Sequence, residues 1–116
     1  MLDKSTRTIP VVFQVRNPQN QLKLGQIVQT EIHTAQRQNL IVVPVSAIID
    51  EDIDKVVFVQ LKGESFERRS VSTGPAFGDW VAINNGLKEG ERVVTRGAYA
   101  VKLASANVSV GQAHVH

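Results

Sequence analysis

The stretch that most restricts the fold is residues 55–61, KVVFVQL. Three valines and a phenylalanine stand together in it. β-Branched and aromatic side chains suit the pleated surface of a strand, and so dense a run leaves no polar face for a surface helix. Similar segments recur every 8–12 residues with turn formers between them, the pattern of an all-β barrel or roll.

The other segments fill in that pattern. Residues 8–15, TIPVVFQV, alternate so that Ile9, Val11, Phe13 and Val15 share a face. After the turn formers Asn17-Pro18-Gln19-Asn20 and Gly25 comes IVQTEIHT, with Val28, Thr30 and Ile32 expected inward and Gln29, Glu31 and His33 outward. These two segments read as a long-looped hairpin. LIVVP at 40–44 reads as a strand buried on both faces and stopped by Pro44, and 46–49 as a short turn or single helical turn. The acidic run Asp50-Glu51-Asp52 with Asp54 reads as an exposed loop. Lys62-Gly63-Glu64 returns the central strand into a second hairpin partner at 65–73, and 80–84 and 92–96 read as short strands joined through Asn85-Gly86 and Glu89-Gly90. Helical composition is confined to 97–106, GAYAVKLASA. The expectation is a small β-barrel or β-roll with at most one short helix near 97–106, and a boundary in the polar stretch 34–39.

Composition narrows the function. At 116 residues the chain fits one domain, or one small domain and part of another. Its net charge of +2 is spread among interspersed residues, unlike a nucleic-acid footprint. Without cysteine there is no disulfide, thiolate metal site or cysteine nucleophile. No run approaches the ~18–20 apolar residues of a membrane-spanning helix, and MLDKSTRT lacks the apolar stretch of a secretory signal.

Catalysis requires a nucleophile or acid–base pair with an orienting group and stabilising donors. The histidines are His33, His114 and His116. By strand parity His33 stands on the solvent face beside Glu31, and no triad forms around it. The acidic run lacks the glycine and distal glutamate of a calcium loop. His114-Val115-His116 places two imidazoles on one side of an extended tail, a candidate site for Cu²⁺, Zn²⁺ or Ni²⁺, though closed sites need more ligands. GLKEGERVVTRG at 86–97 has the wrong glycine spacing for a phosphate cradle and leads into a strand. Its glycines read as turn positions, with Leu87 plugging the core and Lys88 and Glu89 in water. No enzyme and no cofactor is expected.

Several motifs, in order, resemble one family. They are Ser5-Thr6-Arg7-Thr8, the Asn17-Pro18 turn, Leu22-Lys23-Leu24-Gly25, Val43-Pro44-Val45-Ser46-Ala47-Ile48, Val57-Phe58-Val59, Phe66-Glu67-Arg68-Arg69-Ser70-Val71, Gly86-Leu87-Lys88-Glu89-Gly90-Glu91-Arg92-Val93-Val94 and Gly97-Ala98. Over about residues 3–104 the chain resembles the periplasmic adaptor, or membrane fusion, subunits of tripartite RND-type efflux pumps, in the HlyD-like family and its heavy-metal (cation) branch. One departure is Leu24-Gly25-Gln26-Ile27, where members often read Lys-Pro-Gly-Met.

The resemblance implies the C-terminal portion of an adaptor. Residues 1–35 would be the last hairpin of the adaptor β-barrel domain, 36–104 the membrane-proximal β domain and 105–116 a C-terminal strand or tail. The implied setting is periplasmic and membrane-associated. The implied partners are an inner-membrane RND transporter, an outer-membrane channel reached through the full-length adaptor, and other adaptor copies. Trp80, Arg68, Arg69, Lys88 and Arg92 are the candidate partner-binding residues, with the charged ones expected on loops and edges. A hairpin cut from its barrel is expected to leave strand edges that pair with another chain or fray. The alternative reading is a small SH3- or OB-like barrel that binds nucleic acid, which needs a basic groove with aromatic stacking platforms.

Overall fold

The computed structural model describes residues 11–16, 22–33 and 37–105. Among these residues, nine strands form one curled sheet: β1 (Val11–Gln14), β2 (Lys23–Gln26), β3 (Gln29–His33), β4 (Arg37–Pro44), β5 (Ile49–Glu51), β6 (Asp54–Lys62), β7 (Ser65–Phe77), β8 (Trp80–Asn85) and β9 (Arg92–Arg96). A 3₁₀ turn at Val45–Ala47 follows Pro44, and a helix, α1, spans 98–105. The strand order is β2-β9-β6-β7-β8-β4-β3, with β1 joined to β7 and β5 to β6. The all-β expectation with a single short helix holds.

Two long, bent segments turn the sheet into a half-barrel. The first half of β7 pairs with β6 and β1, and its second half with β8. The register shifts at Ser72/Thr73 and between Thr73 and Ala76, around Gly74 and Pro75. Bulges bend and twist a strand, and they are where proline is tolerated in a sheet. The second bend is at Ile27 and Val28, where the chain passes from β2, paired with β9, into β3, paired with β4. Strands that change sheets in this way make the corners of small barrels.

The hairpin expected between 8–15 and 27–34 is not formed: β1 pairs with β7, Phe13 opposite Phe66, and β3 pairs with β4. Ladder hydrogen bonds are alike for any two strands, so what decides is the apolar face each strand must cover. Phe13 packs edge-on against Phe58, with ring centroids 5.8 Å apart. The polar stretch 34–39 is also partly strand, since β4 begins at Arg37 and is paired from there.

Period-two alternation along β6 feeds two cores. Val56 and Phe58 join Phe13, Phe66, Val94 and the α1 residues Ala98 and Val101. Val57 and Val59 face the other way into the barrel interior, with Val43, Ile83, Leu87 and Val93. All four β6 residues are essentially inaccessible to solvent. The 40–44 segment differs from the expectation: Val43 is buried, but Val42 and Leu40 on the opposite face are only half-buried. Nor is Val28 inward; it lies at the corner and is 54% exposed.

The acidic run is a tight hairpin rather than a loop. Glu51 pairs with Asp54 across a two-residue turn, and Asp52 takes a positive φ of 48°. Aspartate tolerates that conformation better than most residues.

Candidate partner-binding surface

An apolar cleft opens along β3, β4 and β8 and reaches the β2–β9 corner at Gly25, Ile27 and Thr95. Register fixes who shares a face there: Thr30 stands opposite Leu40, Ile32 opposite Gln38, Val42 opposite Ala82, and Pro44 opposite Trp80, which also faces Phe77. The cleft is about 550 Å³ and runs from Trp80, Phe77 and Pro44 past Val42 to Ile32 and Val28. Trp80 is 49% exposed although its neighbours on the strand, Ala82 and Ile83, are buried. A large amphipathic ring half in water above an apolar floor is the composition of a binding centre.

The five candidate residues are not brought together. Arg68 and Arg69 are consecutive on β7, so they point to opposite faces. Neither lies on a loop or free edge as expected; β6 pairs with both. Arg68 hydrogen-bonds Glu51, whose other oxygen lies 3.8 Å from Lys102 Nζ on α1. Arg69 donates to Glu67 and, through Nη1, to both oxygens of Glu91 at 2.7 and 2.6 Å. Burial works against the charge on Arg69, but the bonds to Glu91 and Glu67 outweigh it and hold the guanidinium above its ordinary pKa. Both arginines are thus committed to the fold. The nucleic-acid alternative loses two of the cations a basic groove would need.

What Arg69 and Glu91 hold is the 86–91 turn. Arg69 Nη1 also donates to the Gly86 carbonyl, and Glu91 accepts the Lys88 N–H at 2.7 Å. Gly86 has φ +113°, and a Cβ there would sit 2.7 Å from the Ser70 carbonyl, so only glycine fits. Leu87 is buried and Lys88 and Glu89 are exposed, as the sequence indicated. Arg92 is exposed on β9. Lys88 and Arg92 therefore border the turn, away from Trp80.

Sequence reasoning named Trp80 but missed the floor beneath it. Alternation puts Val42 and Pro44 together, yet nothing in it says which face of 40–44 lacks cover. His114 and His116 lie outside the described residues. Among the described residues, no three His, Asp or Glu side chains cluster as a metal site would require. His33 hydrogen-bonds Glu31 at 2.9 Å and both are exposed as expected, but the faces are reversed: by register they share the side of Ile41 and Val43, while Thr30 and Ile32, expected inward, line the cleft. No helix among the described residues is long and apolar enough to cross a membrane.

Residues 41–102 match the family described as the CzcB C-terminal circularly permuted SH3-like domain. The chain is 36% identical over 97 residues to the efflux pump periplasmic linker BepD of Brucella suis biovar 1 (strain 1330), covering 83% of this chain and 24% of that protein. It is 35% identical over 99 residues to the nickel-cobalt-cadmium resistance protein NccB of Alcaligenes xylosoxydans xylosoxydans, covering 84% and 25%. The crystal structure of ZneB from Cupriavidus metallidurans superposes with a TM-score of 0.51 at 36% identity, over 53% of this chain and 18% of that one. The chain spans about a quarter of the length of these curated relatives.

Proposed function

This chain belongs to the CzcB C-terminal circularly permuted SH3-like domain family, and from that premise we propose that it is the non-catalytic, membrane-proximal part of a periplasmic efflux adaptor. In this reading it rests on the periplasmic face of an inner-membrane transporter of cations or drugs and helps couple it to an outer-membrane channel. The family match over 41–102 carries the reading. The relatives' names, a periplasmic linker and a metal-resistance protein, favour export as the setting.

The surface around Trp80 is the docking face in this proposal. Its apolar floor of Val42, Pro44 and Phe77 is held by strands paired in the sheet. A preformed apolar centre binds at little ordering cost, which a module that couples two moving partners needs. Arg68 and Arg69 act instead as internal ties, with Lys88 and Arg92 left at the rim.

The test is calorimetric titration of the whole chain into the periplasmic domain of an RND-type transporter from the same genome. Saturable binding is expected, with Trp80→Ala weakening it about tenfold or more, as for aromatic anchors. Absence of binding to every such transporter domain, or affinity indifferent to Trp80→Ala, would overturn the proposal.

A further inference from the structure

Ile27 and Val28 turn the corner between β2 and β3, and neither belongs to a strand ladder. Pairing with β9 ends at Gln26, and pairing with β4 begins at Gln29. Buried backbone groups need partners, and for Ile27, which is 4% exposed, the 86–91 turn supplies them. The Ile27 N–H donates to the Glu91 carbonyl at 2.7 Å, and the Gly90 N–H donates to the Ile27 carbonyl at 2.8 Å. Further along, the Gln29 N–H donates to Glu89 Oε2 at 3.3 Å. The Ile27 and Leu87 side chains lie in the same buried cluster inside the barrel. Corner and turn therefore form one packed unit.

That unit is tied to β7 through Arg69, whose partner across the ladder is Val57 in the interior core. Through Nη1 the guanidinium donates to the Gly86 carbonyl at one end of the turn and to both Glu91 oxygens at the other. Glu67 accepts from Nη2. The three charged side chains are at most 25% exposed, so water screens these bonds less than those of a surface pair. The corner they reach is also part of the cleft: Ile27 and Val28 line it together with Trp80.

We infer that Arg69 and Glu91 are positioning residues for the Trp80 cleft. Their ion pair fixes the turn, the turn fixes Ile27, and Ile27 with Val28 forms a wall of the cleft. Neither charged side chain lines the cleft itself. The positioning is a property of this chain alone, and only its consequence for binding rests on the docking role proposed above. The competing explanation is that the pair merely adds stability. Glu51 separates the two. It pairs with Arg68, next to Arg69 on β7, is 21% exposed against 22% for Glu91, and has Lys102 of α1 as its other ion-pair partner.

NMR of the whole chain measures this through amide hydrogen exchange and the indole signal of Trp80, the chain's one tryptophan. Glu91→Gln is expected to quicken exchange at Ile27, Lys88 and Gly90 about tenfold, the weight of a hydrogen bond to a charged group. It should also shift the Trp80 indole resonance. Glu51→Gln should leave all of these as in the wild-type chain. Equal quickening in both variants, or an unmoved indole signal in Glu91→Gln, overturns the inference. Arg69→Lys keeps the cation but loses the guanidinium fork, so it should give the same pattern as Glu91→Gln. It carries the measurement if circular dichroism shows that Glu91→Gln does not fold. Against a transporter domain that binds the chain, Glu91→Gln should weaken the complex and Glu51→Gln should not. Failure of every such domain to bind counts against docking alone, whereas unchanged exchange at the corner removes the positioning role whatever binds.

Discussion

Residues 56–59 of β6 and 40–43 of β4 are both runs of four apolar side chains, yet they meet different fates. In β6 all four are buried, because α1 and β1 cover one face while the barrel interior covers the other. In β4 only Val43 is buried; Leu40 and Val42, on its other face, have less cover among the described residues and are only half-buried. A run of apolar residues thus states a capacity for two-sided burial, and the layers available in three dimensions decide whether it is used. In this protein the unused face is where Trp80 stands.

That contrast can be broken by mutation. The largest effect is expected at Phe58, which is 0% exposed and packs against Phe13. Phe58→Ala should cost about 3–5 kcal/mol in urea denaturation, a large part of the ~5–15 kcal/mol typical of a domain. A loss under about 1 kcal/mol would mean that the helix-side core is not packed as described. Val57→Ala, on the interior side of the same strand, should cost about 2 kcal/mol. Val42→Ala on the open face of β4 should cost under about 1 kcal/mol, and equal losses at Val57 and Val42 would erase the distinction.

The turn offers a second, finer comparison. Gly86 and Gly90 both have positive φ, but a Cβ at Gly86 meets the Ser70 carbonyl whereas one at Gly90 meets nothing within 4 Å. Gly86→Ala should therefore cost about 2–3 kcal/mol, combining strain and overlap, and Gly90→Ala about 1 kcal/mol from backbone conformation alone. Thermal or chemical denaturation of the pair measures the difference. Smallest should be the stability change in Trp80→Ala, about 1 kcal/mol or less for a half-exposed ring, while binding through that surface falls about tenfold. Arg69 should add no pH dependence near neutrality. A raised folded-state pKa leaves its contribution fully present below the ordinary arginine range and lost only above it.

Much of the fold was legible because its signals are local. A dense β-branched and aromatic run identified β6, turn formers on either side identified β8 and β9, Lys62-Gly63-Glu64 identified the β6–β7 turn, and Gly86, Leu87 and Gly90 were assigned the roles they have. Gly25 was less legible. It was read as a turn residue before a strand, but it lies within β2, where a Cβ would come 3.0 Å from the Thr95 methyl. Close approach to a residue seventy positions away leaves no local mark. Arg68 and Arg69 were misplaced for the same reason: the pair reads as surface charge until Glu51 of β5 and Glu91 of the 86–91 turn close on it, beside Glu67 on β7 itself.

Taken alone, the chain of residues determined that this protein would be built from strands, where most of them turn, and that its motif order is that of an efflux adaptor's C-terminal part. These follow from side-chain shape, alternation and backbone angles, which act within a few residues. Only the tertiary structure decided that β1 lies on β7, that β2 and β3 form one bent corner strand, and that Trp80 stands half-exposed over an apolar cleft. Backbone ladders accept any partner, so those outcomes depend on which distant apolar surfaces fit together. That is also why the proposed docking face was visible in the sequence as one tryptophan and not as the floor beneath it.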